Sequence, residues 1–108
     1  MKIPNCIQGL ELTHSIQVEF MGTLKRIAGK KKITLHFHKP VQVQEVITEL
    51  VSTLPLEFGR FLIDPELNDP RPNVLIILNK TEIGALDGLD TKVRNNDKLI
   101  IVPVVHGG

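Results

Sequence analysis

The chain has 108 residues, of which 42% are hydrophobic and 23% charged, and its formal net charge is +1. Such a size and composition are typical of one globular domain. The near-neutral charge provides no strong field for nucleic acid or an anionic membrane surface, so direct binding to either is not expected.

The N-terminal residues carry little information on function. The single cysteine, Cys6, excludes an internal disulfide and a cysteine-based metal site. Residues 1–15 lack the apolar region of a secretory signal, and no apolar run approaches the ~20 residues of a membrane span. We therefore expect a cytoplasmic monomer, with residues 1–15 as an N-terminal extension that includes a short strand at residues 7–12.

Two stretches alternate between apolar and polar residues, which is typical of half-buried strands. The first, "SIQVEF", places Ile16, Val18 and Phe20 on one face, and the second, "ITLHFH", follows at residues 33–38. The stretch "KRIAGKKK" between them contains Gly29, which favours a turn. The pattern predicts an opening hairpin with a long connection.

One helix is predicted over residues 43–54. Its apolar positions follow the i, i+3, i+4, i+7 spacing of a stripe on one helical face. Pro40 precedes the helix and Pro55 ends it. Val41 occupies the expected N-cap position, so no good capping side chain is predicted.

The second half contains irregular and strand-like stretches. Residues 55–72 hold four prolines and predict only a short turn of helix. The run "NVLIILN" predicts a central strand buried on both faces, residues 81–83 a short strand, and "KLIIVPVV" the last strand. This order predicts an α+β fold of the β-grasp (ubiquitin-like) type, with a mixed sheet of four to five strands and one main helix on one face.

A single main helix covers only one face of such a sheet. The other face is then expected to expose a patch formed by Met21, Ile100, Val102 and Val104, and apolar patches of this kind mark interaction sites. An alternative is that residues 1–15 cover the patch. The β-grasp domain is expected over residues 16–105, with residues 106–108 as a tail.

The C-terminal sequence carries a family resemblance. Residues 71–108, "RPNVLIILNKTEIGALDGLDTKVRNNDKLIIVPVVHGG", resemble the ubiquitin-related modifier family, above all in the His-Gly-Gly ending. The stretch "IQVEFMGTLKRIAG" and Pro103 are also similar to the small subunit of molybdopterin synthase. Both belong to the ubiquitin-like sulfur carriers.

The resemblance implies a carrier that is not itself an enzyme and binds no cofactor. An E1-like enzyme would use ATP to adenylate the Gly108 carboxylate, and a sulfur donor protein would supply sulfur for a thiocarboxylate. The sulfur would pass to a tRNA-thiolating enzyme, or the activated end would join lysines of target proteins. His106 and Gly107 would thread the partner's channel, where a residue without Cβ passes close to the walls.

Two other functions remain open. The chain could be the small subunit of molybdopterin synthase, with its tail in the active site of the large subunit, or a β-grasp adaptor without tail chemistry. Two local patterns favour ordinary surface roles. His36 and His38 share a strand face without an evident third metal ligand, and Lys30, Lys31 and Lys32 are interpreted as a solvated loop rather than a conjugation or phosphate site.

Overall fold

The alternating stretches form neighbouring antiparallel strands in the computed structural model, which describes residues 13–104. Strand β1 is His14–Phe20 and β2 is Lys32–Phe37, with Ile16 opposite Leu35. Ile16, Val18 and Phe20 are fully buried, as their spacing predicts. The opening hairpin is therefore confirmed; the predicted strand at residues 7–12 lies outside the described residues.

The connection between these strands contains a short helix that the sequence analysis missed. Helix α1, Thr23–Ala28, buries Leu24 and Ala28. Its apolar residues Leu24, Ile27 and Ala28 span little more than one turn, which is too short to establish a helical period. Gly29 ends the helix in the left-handed conformation, with φ of 79°, so the predicted turn at this glycine is confirmed.

Helix α2, Val43–Thr53, is the predicted amphipathic helix. Its N-cap is Gln42 rather than Val41, because Val41–Gln42 form strand β3 and pair with β6, Lys92–Val93. The Gln42 N–H donates to the Glu45 carboxylate at 2.9 Å. The prediction that this helix begins without a capping side chain was wrong. The capping group is the carboxylate of Glu45, the third residue of the helix.

The proline-rich stretch does contain the predicted short helix, α3, at Leu56–Leu62. Phe58 is fully buried within it, and its ring meets Phe20 edge to face, with centroids 5.2 Å apart. This contact joins α3 to the first strand of the sheet.

The remaining strands complete a mixed sheet in the order β2-β1-β7-β4-β5. They are β4, Val74–Leu78; β5, Thr81–Glu82; and β7, Lys98–Pro103, with short 3₁₀ helices at Ile83–Ala85 and Gly88–Asp90. Strand β7 is parallel to β1 and antiparallel to β4. The predicted α+β, β-grasp architecture is confirmed, and within residues 13–104 the main sheet has five strands.

Strand β4 is buried on one face only, so the prediction of burial on both faces was wrong. Val74, Ile76 and Leu78 lie in the core, whereas Leu75 is 47% exposed and Ile77 is half-buried. An apolar run does not reveal by itself whether a second layer covers it. Within residues 13–104 no helix combines the length and apolarity needed to cross a bilayer.

Candidate functional site

The last strand lies inside the sheet, not at its edge. Phe20 of β1 lies opposite Ile101 on one side, and Val74 of β4 lies opposite Pro103 on the other. The Val104 N–H donates to the Asn73 carbonyl at 2.9 Å. The chain is thus held by hydrogen bonds as far as Val104. The sequence-predicted tail residues His106, Gly107 and Gly108 lie outside the described residues.

The turn after β1 packs beside this exit point. The Met21 N–H donates to the Ile101 carbonyl at 3.1 Å. Gly22 follows with φ of 56°, and a Cβ added to it would lie 3.1 Å from Pro103 Cγ. Glycine therefore satisfies both a positive φ and a close approach to the end of β7.

The predicted patch lies on the sheet face that the helices leave open. Met21 is 43% exposed, while Ile100, Val102 and Val104 are half-buried. Strand alternation explains this placement, because the neighbours Leu99 and Ile101 are fully buried on the helix side.

Sequence reasoning missed two members of this surface. Leu75 lies opposite Val102, and Ile77 lies opposite Ile100, so β4 doubles the apolar width of the face. The sequence predicts only one main helix, and one helix can cover only one face of the sheet. That prediction could have indicated that one face of β4 is exposed. We call this surface the open apolar face; its members are Met21, Leu75, Ile77, Ile100, Val102 and Val104.

Polar residues border the open apolar face. Lys98 Nζ lies 3.3 Å from the Glu19 carboxylate, and Lys32 lies opposite Glu19 on the edge strand. On the other side Glu82 lies opposite Ile77. An apolar centre with a polar rim is the usual anatomy of a protein interface.

The other sequence candidates lie away from this face or have ordinary partners. His36 Nδ1 is 3.1 Å from Ser15 Oγ, and His38 is exposed. No cluster of three or more potential metal ligands occurs within the part of the chain that the structure describes. A depression of about 390 Å³ lies on the helix side, lined in part by Ile47, Val51 and Leu89.

Comparison with known protein families assigns the sequence to one of them. The model of the ubiquitin-related modifier (Urm1) family matches residues 15–108. The chain belongs to the ubiquitin-related modifier family. It is accordingly a ubiquitin-like carrier and modifier protein rather than a catalyst.

Individual relatives support the assignment over nearly their whole length. Small archaeal modifier protein 3 of Haloferax volcanii is 27% identical, over 86% of this chain and 98% of that protein. Ubiquitin-related modifier 1 of Saccharomyces cerevisiae is 29% identical, over 87% of this chain and 98% of its own. The solution structure of small archaeal modifier protein 1 from Methanosarcina acetivorans superposes with a TM-score of 0.70 at 25% identity, covering 89% of this chain and 98% of that one.

Proposed function

We propose that this ubiquitin-related modifier carries sulfur on its C-terminal carboxylate and also attaches to proteins through it. The observation that supports the proposal most is the position of β7. Strand β7 is paired with β1 and β4, the Val104 N–H donates to the Asn73 carbonyl, and residues 105–108 follow with the sequence Val-His-Gly-Gly. Extended, these four residues would reach about 13 Å at ~3.3 Å per residue.

The carboxylate of Gly108 must be activated before it can react, because a carboxylate is a poor electrophile. In the proposed cycle one of its oxygens attacks the α-phosphorus of ATP in an E1-like enzyme, and pyrophosphate leaves. A persulfide of a sulfur donor protein then attacks the acyl carbon, and AMP leaves. A second thiol then attacks the donor's sulfur in the resulting acyl disulfide. The S–S bond breaks, the thiol and the donor are left joined as a disulfide, and the Gly108 thiocarboxylate is released, ready to donate sulfur.

The same acyl carbon explains the modifier activity. A lysine Nζ of a target protein attacks the acyl carbon of the adenylate, AMP leaves, and an isopeptide bond forms. Sulfur transfer to tRNA through a thiolating enzyme and conjugation to lysines therefore share one activated intermediate. The carrier acts as a co-substrate in both reactions. They take place in the cytoplasm, where ATP is available to the activating enzyme.

The open apolar face is the proposed docking surface for the activating enzyme. Val102 and Val104 lie at the end of β7, directly before the tail, and Leu75 lies beside Val102. A partner seated on this face would have the tail at the edge of the interface. His106 and Gly107 would then pass into its active site, where glycine lets the backbone approach the channel walls.

The proposed chemistry is tested by intact-mass measurement. The protein is incubated with an E1-like enzyme, ATP and a persulfide donor, and a gain of one oxygen-to-sulfur exchange is expected. Gly108→Val should give no gain, because its branched side chain blocks the channel, and omission of ATP should have the same effect. No mass change in wild-type protein, with an enzyme that activates another carrier in the same assay, would refute the proposal.

The two alternative functions predict different results. A subunit of molybdopterin synthase would form a stable complex with the large subunit and transfer its sulfur to a pterin. An adaptor without tail chemistry would keep its function after deletion of Gly107 and Gly108. The match to the ubiquitin-related modifier family over residues 15–108 favours the carrier and modifier role.

A further inference from the structure

The near-neutral net charge conceals a strong asymmetry along the chain. Residues 20–44 contain six cations and no carboxylate, whereas the rest of the chain contains seven cations and twelve carboxylates. The formal charges are therefore +6 and −5, which together give the net +1. The six cations are Lys25, Arg26, Lys30, Lys31, Lys32 and Lys39.

Five of these cations lie close together on one end of the molecule. Lys25 and Arg26 are on the outer surface of α1, and Lys30, Lys31 and Lys32 lead from its end into β2. All five are exposed. We call this surface, within residues 25–32, the basic end.

Backbone hydrogen bonds fix the shape of the basic end. The Gly29 N–H donates to the Lys25 and Arg26 carbonyls, and the Lys30 N–H donates to the Lys25 carbonyl at 3.2 Å. The Phe20 N–H donates to the Lys31 carbonyl at 2.9 Å. The cations therefore extend from an ordered backbone, which lowers the entropic cost of binding to them.

The basic end lies at the same end of the sheet as the tail exit. The Lys31 carbonyl accepts a hydrogen bond from the Phe20 N–H, and Phe20 lies opposite Ile101 in β7. Gly22, in the turn that begins α1, lies close to Pro103. The nearest carboxylate along the sheet, Glu19, is already paired with Lys98 at 3.3 Å.

We propose that the basic end docks on an acidic surface at the rim of the protein channel that receives the tail. This inference rests on the proposed function, since it assumes that a partner protein binds the tail. Opposite charges at an interface rim raise the association rate. Because the remainder of the chain is negative, an acidic rim would attract this end and repel the rest, and so turn the tail toward the channel.

Nucleic acid fits the basic end less well. Residues 23–32 contain no aromatic side chain on which a base could stack. The negative remainder of the molecule would also be repelled by an extended polyanion. A localised acidic patch on a protein matches a localised basic end.

The test is ATP–pyrophosphate exchange by the organism's own E1-like enzyme, with the full chain as substrate. The double variant Lys30→Glu, Lys31→Glu is compared with Lys92→Glu, Arg94→Glu. The second variant makes the same charge change at exposed residues that precede the start of β7, whereas the tail leaves from its end. We expect the first to raise KM about tenfold at low salt with kcat unchanged. The difference should shrink as salt rises, and the control variant should keep the wild-type KM.

Further arms separate the possible outcomes. Lys30→Arg, Lys31→Arg should keep the wild-type KM, since it retains the charge. Equal KM values for the two glutamate variants would overturn the inference, and so would competition by tRNA with wild type but not with the Lys30→Glu, Lys31→Glu variant. If wild-type protein supports no exchange at all, the proposed function fails first and this inference fails with it.

Discussion

Gly22 lies close to Pro103, so the turn after the first strand passes beside the end of the last one. A Cβ on Gly22 would lie 3.1 Å from Pro103 Cγ, and its backbone has φ of 56° and ψ of −137°. Only glycine adopts this conformation readily. The tail exit therefore lies beside a position where any side chain is strained.

We expect Gly22→Ala to lower the free energy of unfolding by about 1–3 kcal/mol, since alanine is strained at this φ and ψ and contacts Pro103. Denaturant unfolding measures the loss. Gly29→Ala is the matched control, because Gly29 has φ of 79° but nothing within 4 Å of the added Cβ. Its cost should be smaller, at about 1 kcal/mol. Equal losses would show that the contact with Pro103 has no energetic weight.

A second prediction concerns the open apolar face. Leu75→Glu places a charge opposite Val102, at the centre of the proposed docking surface. The KM for adenylation should rise about tenfold or more, as for a central interface residue. The free energy of unfolding should change little, because Leu75 is 47% exposed.

Leu67→Glu is the control for this variant. Leu67 is 67% exposed and lies in the loop between α3 and β4, outside the open apolar face. Its KM should remain at the wild-type value. If both variants were adenylated with the wild-type KM, the activating enzyme would have to dock on another surface.

The sequence predicted the elements that have a clear period. Val18 alternates with polar neighbours in β1, and the stripe of α2 repeats over three turns, so both were found. Helix α1 was missed because its six residues make less than two turns, too few to show a helical period. The burial of Leu75 was wrongly predicted because a continuous apolar run looks the same whether one face or both are covered.

The candidate site was predictable to a different degree. The tail stays a prediction from the sequence alone, since Gly107 and Gly108 lie outside the described residues. The partial exposure of Ile100 and Val102 was predictable, because one main helix covers only one face of the sheet. The prediction of one main helix indicates an uncovered face on β4, but placing Leu75 and Ile77 beside β7 required the strand order. Nineteen residues separate β4 from β7 in the sequence, and the two strands meet only in the sheet.

A third prediction concerns acid stability. The side-chain hydrogen bonds from Arg71, at 2.6 Å for the shortest, lower the pKa of Asp69 below its ordinary value of 3.8. In the unfolded chain Asp69 binds a proton more readily, so stability from this pair is present above pH 3.8 and is lost as pH falls through the lowered pKa. The Arg71 side chain is 53% exposed, so solvent screening limits the contribution to about 1 kcal/mol or less.

The pH dependence of unfolding separates this pair from other carboxylates. Asp69→Asn should lose less stability than wild type between pH 3.8 and the lowered pKa, because it has no carboxylate to protonate. Arg71→Gln should raise the pKa of Asp69 in an NMR titration. An unchanged pKa in that variant would contradict the assigned cause.

The last prediction tests whether α3 belongs to the core. Phe58 is fully buried, and its ring lies edge to face with Phe20 at 5.2 Å. Phe58→Ala should lower the free energy of unfolding by about 3–5 kcal/mol, since it leaves a cavity between α3 and β1. Phe58→Leu fills most of that space and loses mainly the aromatic contact, at about 0.5–1.5 kcal/mol.

Phe61→Ala is the matched control on the same helix. Phe61 is only partly buried at the edge of the core, so its loss should be clearly smaller than that of Phe58. If the two alanine variants unfolded alike, α3 would be a surface helix rather than part of the core. Because β1 leads into the Gly22 turn, a loosened contact between Phe58 and Phe20 should also weaken the support of the tail exit. Amide hydrogen exchange at Met21, whose N–H bonds to the Ile101 carbonyl, would then be faster in Phe58→Ala than in Phe61→Ala.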